Sequence, residues 1–108
     1  MKIRTAVRTR FSASHKIDGD AICGRQHGHT WSVEVTVEGT YVDHQALSTA
    51  VRGVADELDL RDINSLVSSI IPNPEGVAAY FRERLLFEFS GIVEVRVWMD
   101  DIGGIVLA

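Results

Sequence analysis

The first fifteen residues alternate between two chemical characters. The odd positions hold Ile3, Thr5, Val7, Thr9, Phe11, Ala13 and His15, while the even positions include Arg4, Arg8, Arg10 and Ser12. A period of two places each set on its own face of a β-strand. The pattern predicts a long first strand that ends near His15.

A second stretch, from His27 to about Tyr41, alternates in the same way. Its odd positions hold His27, His29, Trp31, Val33, Val35 and Val37, and its even positions hold Ser32, Glu34, Thr36 and Glu38. Residues 16–26 contain two glycines and several charges, which favours a loop. We therefore predict a second strand that follows the first after a loop.

Antiparallel pairing of these two strands brings their histidines to one end of a hairpin, because the histidines share a face with the apolar residues in both strands. The opposite face then sets the arginines of the first strand against the glutamates of the second. Cross-strand ion pairs of this kind contribute roughly 0.2–1 kcal/mol each. A solvated sheet face without specific pairs explains the same charges equally well.

Two helices follow. Asp43 is a suitable N-cap for the first, and Asn73 followed by Pro74 is a strong start signal for the second. The apolar stripe of the first helix comprises Leu47, Val51, Val54, Ala55 and Leu58, and that of the second comprises Val77, Ala78, Phe81, Leu85 and Phe89. Gly91 is expected to end the second helix. Residues 60–72 are expected to form a partly buried connection.

The remaining residues predict two more strands. Val93, Val95 and Val97 alternate with polar residues, and Gly103-Gly104 precedes a short strand from Ile105 to Leu107. The order ββααββ predicts an α+β fold, with an antiparallel four-stranded sheet and two helices on one face, as a single domain over residues 1–108. Unpaired sheet edges and an uncovered face favour a homo-oligomer.

Composition limits the possible partners and compartments. The chain has 108 residues, a formal net charge of −4 and no basic stripe, which argues against nucleic-acid and membrane-surface binding. A small molecule or a protein is the favoured partner. A single cysteine and the lack of an apolar signal segment favour the reducing cytoplasm.

Three histidines form the main chemical feature. His27 and His29 lie two apart on one strand face, and the predicted hairpin adds His15. Three imidazoles with one open coordination position are typical of a catalytic zinc site, whereas structural zinc sites usually have four protein ligands. A hydrogen-bonded core role would be the better interpretation of a lone histidine, but three on one face favour metal binding.

Cys23, on the loop before His27, has three possible roles. It can be a fourth zinc ligand in a closed structural site, a base or nucleophile just beyond the metal, or an inert apolar residue. Its position alone does not decide among them. Gly24 and Arg25 beside it favour an accessible loop and therefore the second role.

The segment Phe11-Ser12-Ala13-Ser14-His15, followed by Cys23-x-x-x-His27-Gly28-His29, resembles the 6-pyruvoyl-tetrahydropterin synthase and 6-carboxytetrahydropterin synthase family. The resemblance covers nearly the whole chain. Three weaker matches lie further along the chain. Val42-Asp43 stands where the family has Val-Asp-Phe, and Leu58-Asp59 with Asn64 stands where it has Leu-Asp-His and Leu-Asn. Pro72 with Glu75 stands where it has Pro-Thr-x-Glu-Asn.

The resemblance implies a tunnelling fold, in which ββααββ protomers form barrel-shaped trimers that stack into hexamers with active sites between subunits. It implies that zinc on His15, His27 and His29 holds the side chain of a dihydropterin and that Cys23 is the proton-transfer base. Asp59 would be the remaining half of the family's Asp-His relay. Glu75 would contribute to substrate binding. Typical members act as lyases on 7,8-dihydroneopterin triphosphate.

Two positions depart from the family pattern. Leu60 replaces the relay histidine, and leucine cannot transfer a proton. Met99 replaces the glutamate that anchors the pterin, and a thioether is a poor hydrogen-bond acceptor. Asp100, or its neighbour Asp101, could replace the anchor after a register slip, and His44 could replace the relay histidine; turn formation and a surface position are the simpler interpretations of these residues.

Three functions remain open at this point. The leading hypothesis is a zinc-dependent lyase acting on dihydroneopterin triphosphate or a related pterin. The second is a divergent zinc enzyme with a different polyol or carbonyl substrate. The third is a non-catalytic oligomeric family member. The complete ligand set together with Cys23 favours an enzyme.

Overall fold

The computed structural model describes residues 2–15, 27–66 and 72–108. The elements in these ranges are β1 (Ile3–His15), β2 (His27–Gly39), α1 (His44–Leu58), β3 (Arg61–Asp62), α2 (Ile63–Leu66), α3 (Pro74–Leu86), β4 (Ile92–Met99) and β5 (Gly103–Leu107). They form one sheet of order β3-β1-β2-β4-β5, with α1 and α3 packed on it. The predicted α+β class is confirmed.

The predicted hairpin is present over the full length of its strands. β1 and β2 pair antiparallel from Ile3 opposite Gly39 to His15 opposite His27. On the polar face, Arg4 and Arg8 lie opposite Glu38 and Glu34, and the charged atoms of the two pairs are 3.0 and 3.1 Å apart. These are cross-strand ion pairs, though the arginines are more than half exposed, so that each pair contributes at most about 1 kcal/mol.

The helices begin where the sequence predicts. The Asp43 side chain accepts hydrogen bonds from the backbone N–H groups of Gln45 and Ala46, and the Asn73 side chain accepts one from Gly76 N–H. Such caps satisfy donors that a helix leaves unpaired in its first turn. Both apolar stripes face the sheet, and Phe89 packs at the margin of the core.

The core lies between the helices and one face of the sheet. Its strand residues are Phe11, Ala13, Trp31, Val33, Val35, Val37, Ile92, Val95 and Val97. Phe11 is stacked between Trp31 and Phe81, with ring centroids 6.1 and 6.0 Å away. This aromatic stack holds the end of the hairpin that bears the histidines against α3.

The prediction of four strands was incomplete. The described sheet has a fifth strand, β3, in which Arg61 and Asp62 pair parallel with Ala13 and Ser14. Two residues are too short to produce a period-two pattern, so only the tertiary contact defines this strand. Residues 63–66 add the short helix α2 within the predicted connection, and Ile63 is buried there.

Element ends also differ by a few residues. β2 ends at Gly39 rather than Tyr41, α3 ends at Leu86 ahead of Gly91, and β5 begins at Gly103.

In the described part of the chain, no helix combines the length and hydrophobicity that a membrane span requires.

Candidate metal centre

The three histidines converge at the end of the hairpin where the connection between β1 and β2 begins and ends. His15 lies opposite His27 in the β1–β2 register, and His29 lies opposite Ala13, so all three project from the core face of the sheet. Their nearest ring nitrogens lie within 4.8 Å of one another, and the Nε2 atoms of His15 and His27 are 2.9 Å apart. One ion can be held between them.

His15 is the most enclosed of the three, with 1% of its surface exposed. Its ring meets the Trp31 ring edge to face at 5.2 Å. Its Nδ1 lies 2.5 Å from the carbonyl oxygen of Pro72. Because a carbonyl can only accept, Nδ1 carries the proton and Nε2 is left with its lone pair.

Burial is the main cause that lowers the pKa of His15, and the nearby rings of His27 and His29 lower it further. The hydrogen bond to Pro72 opposes the shift. A lowered pKa favours neutral imidazole, which is the form that binds a metal. The environment of His15 therefore favours both the tautomer and the charge of a ligand.

His29 is held in the same tautomer by a different group. Its Nδ1 lies 2.6 Å from Oδ2 of Asp100, which follows β4. Oδ1 of the same carboxylate accepts a hydrogen bond from Thr30 N–H at 2.9 Å. The hydrogen bond from His29, followed by that from Thr30, lowers the pKa of Asp100, so this carboxylate is ionised at neutral pH.

The donor set fits a metal ion. Two of the three histidines have an acceptor on Nδ1 and present Nε2 to the common point, as metal-ligating histidines usually do. Three protein nitrogens leave a position for a substrate oxygen, as in catalytic zinc sites. The side chains of His15, His27 and His29 can therefore hold a metal.

A cavity of about 530 Å³ opens beside His29. Leu60, Arg61 and Asp100 line it, together with the ends of β1 and β2. Leu60 is 83% exposed and has a φ of 59°, in the left-handed region that disfavours residues with a Cβ. Its N–H donates to the Ser12 carbonyl at 2.5 Å, which holds it in place at the cavity rim.

Two other predicted site residues lie near this end of the sheet. Asp59 is the C-cap of α1, and its Oδ1 accepts a hydrogen bond from Ser12 N–H at 2.9 Å. Glu75 is exposed in the first turn of α3, three residues after Pro72. Met99, which stands where the family has a glutamate, lies opposite Trp31 and packs against the core.

The structure does not bring His44 to the histidines within one chain. His44 is the first residue of α1 and Asp59 caps its other end, so the two are separated by the helix length of about 22 Å, at 1.5 Å per residue. Cys23, the predicted base, lies outside the described residues.

Sequence reasoning missed two features of the site. Nothing in the sequence indicated that the Pro72 carbonyl would contact His15, because the two residues are 57 positions apart. The sequence suggests only a substrate anchor or a turn residue at Asp100. Its contact with His29 depends on the β2–β4 register and on the turn that follows.

Comparisons of the sequence with known proteins identify its relatives. The sequence model of the family described as 6-pyruvoyl tetrahydropterin synthase matches residues 4–105. A dihydroneopterin monophosphate aldolase of Pyrococcus furiosus is 36% identical over an alignment of 101 residues, with coverage of 89% of this chain and 86% of that protein. A putative 6-carboxy-5,6,7,8-tetrahydropterin synthase of Archaeoglobus fulgidus is 30% identical over 97 residues, covering 84% and 83%.

Solved structures share the fold. The 6-pyruvoyl tetrahydropterin synthase of Caenorhabditis elegans superposes with a TM-score of 0.88 at 18% identity, covering 99% of this chain and 95% of that one. The Plasmodium falciparum enzyme of the same name gives a TM-score of 0.81 at 16% identity, covering 98% and 96%. With a family match across almost its whole length, the chain belongs to the 6-pyruvoyl tetrahydropterin synthase family.

Proposed function

We propose that this chain is a zinc-dependent lyase that acts on the phosphorylated side chain of a dihydropterin, 7,8-dihydroneopterin triphosphate or a close relative. The observation that carries the proposal is the convergence of three imidazoles, two of them with Nδ1 bonded to an acceptor, beside an open cavity. Bound zinc would polarise a substrate hydroxyl or carbonyl oxygen and make a neighbouring proton easier to remove.

The protein's own residues have separate tasks in this proposal. His15, His27 and His29 hold the ion, and Pro72 and Asp100 keep two of them in the required tautomer. Cys23 is proposed as the group that moves the proton. Leu60 covers the substrate with an apolar surface where a family relay histidine would stand, so Cys23 must act without that partner.

A second reaction is supported by a specific comparison. The Pyrococcus furiosus relative is named an aldolase for dihydroneopterin monophosphate. In a retro-aldol cleavage, a base removes the proton of the hydroxyl adjacent to the carbon–carbon bond. That bond's electron pair moves to the carbon attached to the pterin, which then takes up a proton, and the other fragment leaves as an aldehyde. One base and one proton donor suffice, which suits a site with Leu60 at the relay position.

The test gives the zinc-loaded full chain each substrate separately and follows the products by mass spectrometry. Release of inorganic triphosphate from dihydroneopterin triphosphate supports the synthase-type elimination. A phosphorylated two-carbon aldehyde from dihydroneopterin monophosphate supports the aldolase reaction. Cys23→Ala should lower turnover at least about 100-fold, since proton transfer by a positioned side chain contributes about 10²–10⁴-fold. His29→Ala should also lower turnover, because it removes one of the three proposed metal ligands. Turnover unchanged in Cys23→Ala would overturn the assignment of the base.

If neither substrate is converted, two alternative functions remain. Zinc binding without turnover favours a divergent enzyme with another polyol or carbonyl substrate. Metal content far below one ion per chain, unaffected by His27→Ala, favours a non-catalytic family member and would remove the metal proposal itself.

We also propose a homo-oligomer, a trimer or a hexamer, in a cytoplasmic setting. Among the described residues, β3 pairs with only Ala13 and Ser14 of β1, and β5 pairs only with β4, so both sheet edges offer unpaired backbone groups. Sedimentation velocity should give three or six times the 11.9 kDa chain mass. A monomer at micromolar concentration would contradict this proposal without affecting the metal site.

A further inference from the structure

Asp100 stands in a backbone conformation that few residues adopt. It follows β4 directly, and both Asp100 and Asp101 have positive φ angles, 54° and 56°. The turn is closed by a hydrogen bond from Ile102 N–H to the Met99 carbonyl at 3.2 Å. Aspartate tolerates this region better than most residues, but glycine would be the usual choice if only the turn mattered.

Among the described residues, the hydrogen bonds of Asp100 are directed at β2. Its N–H donates to the Thr30 carbonyl at 2.7 Å, one carboxylate oxygen accepts from Thr30 N–H, and the other accepts from His29 Nδ1. Both oxygens therefore already have protein partners. The carboxylate is therefore oriented by β2, which favours a positioning role for Asp100 over the substrate anchor that the sequence suggested.

We propose that Asp100 is a positioning residue for the metal site. Its carboxylate holds the His29 ring in the Nδ1–H tautomer and in the plane that aims Nε2 at His15 and His27. The Thr30 N–H fixes the carboxylate in turn. A carboxylate bonded to a ligating histidine fixes the ring and raises its basicity, and loss of such a partner commonly weakens metal affinity 10–100-fold. The inference rests on the proposed metal site and adds to it a residue that does not touch the ion.

A purely structural role for Asp100 in the turn is the competing explanation, and glycine separates the two. Asp100→Gly keeps a backbone suited to a φ of 54° but removes the acceptor. Asp101→Gly is the matched control, because Asp101 has nearly the same φ and its carboxylate contacts Ser32 and Arg10 rather than a histidine. Asp100→Asn keeps an oxygen acceptor and a side chain that tolerates positive φ, so it should rescue part of the effect.

The first experiment measures zinc affinity of the full chain by competition with a chromogenic chelator. Asp100→Gly should weaken binding about 10–100-fold, Asp100→Asn less, and Asp101→Gly less than about 2-fold. Equal affinities of Asp100→Gly and wild type would overturn the inference, as would an equal loss in Asp101→Gly. Zinc binding by wild type that is lost in His29→Ala but not in Asp100→Gly would leave the metal proposal intact.

The second experiment needs no metal. Nitrogen-15 NMR of the metal-free protein reports which ring nitrogen of His29 is protonated. Wild type and Asp101→Gly should show the Nδ1–H tautomer, and Asp100→Gly should shift toward the Nε2–H tautomer that free imidazole side chains favour in water. An unchanged tautomer in Asp100→Gly would contradict the positioning role even if the chain bound no zinc.

Discussion

The Nδ1 atom of His15 lies 2.5 Å from the carbonyl oxygen of Pro72, two residues before the first residue of α3. This contact ties the end of β1 to the segment that enters the second long helix. His15 is therefore both a candidate metal ligand and a buried part of the fold. The other two proposed ligands, His27 and His29, are only partly buried.

Replacing His15 should consequently destabilise the metal-free protein more than replacing His27 does. His15→Ala removes a buried ring and leaves the Pro72 carbonyl without its donor, which should lower the free energy of unfolding by about 2 kcal/mol or more. His27→Ala, at a partly exposed position, should cost less than about 1 kcal/mol. Urea denaturation in the presence of EDTA measures both. Equal losses in the two variants would show that the His15 contact adds no stability.

Leu60 offers a test of stored backbone strain. A residue with a Cβ in the left-handed region costs roughly 1–2 kcal/mol, and the exposed Leu60 side chain contributes little packing. Because glycine also increases the entropy of the unfolded chain, Leu60→Gly should be neutral or stabilising by up to about 1 kcal/mol.

The control for Leu60 is Ile102, which is 90% exposed and has no positive φ. Ile102→Gly should lower stability by about 0.5–1 kcal/mol, because glycine increases the entropy of the unfolded chain and no backbone strain is relieved at this position. Thermal denaturation compares the two directly. A larger loss in Leu60→Gly than in Ile102→Gly would mean that the Leu60 conformation is not strained.

The pairing of β4 with β5 depends on the absence of a side chain at Gly104. A Cβ built there would lie 1.8 Å from the Val97 carbonyl oxygen, and both are part of the paired backbone. Gly104→Ala should therefore destabilise the protein by roughly 2–3 kcal/mol, as overpacked sites do. A Cβ at Gly103 would meet no atom within 4 Å, so Gly103→Ala is the matched control and should be close to neutral. Similar melting temperatures for the two variants would refute the prediction that the β4–β5 pairing requires glycine at position 104.

The two long helices are joined by a polar contact whose strength depends on pH. The Tyr80 hydroxyl on α3 donates to Glu57 Oε2 on α1 at 2.5 Å, and Arg84 binds the same carboxylate. Partial burial alone would raise the pKa of Glu57, but the hydrogen bonds from Tyr80 and Arg84 outweigh it and lower that pKa. The folded state thus favours ionised Glu57.

A carboxyl whose pKa is lowered by folding contributes stability above its unfolded pKa and loses it as the pH falls through the folded value. Glu57→Gln should lower the free energy of unfolding by about 1 kcal/mol at pH 7, with the partly exposed position limiting the effect. The difference from wild type should shrink below the unfolded pKa of about 4.3 and go on shrinking as the pH falls through the lowered folded pKa. Denaturant titrations from pH 7 into the acid range test this prediction, and a difference that stays constant as the pH falls below about 4.3 would exclude the charge as its cause.

The strand and helix pattern was predictable because it is local. Alternation in β1 and β2, the capping residues Asp43 and Asn73, and the helical apolar stripes all act within a few neighbouring residues, and the structure follows them. The histidines also occupy odd positions of the two alternating strands and therefore share one face. Antiparallel pairing then implies that His15, His27 and His29 converge.

What surrounds the histidines was decided only by tertiary structure. The contacts from Pro72 to His15 and from Asp100 to His29 join residues 57 and 71 positions apart, and they depend on where α3 enters and how the β4–β5 turn bends. The two-residue strand β3 and the left-handed conformation of Leu60 arise in the same way, from close packing against β1. Local propensity sets which residues share a face, but only the packed chain sets which distant groups meet them there.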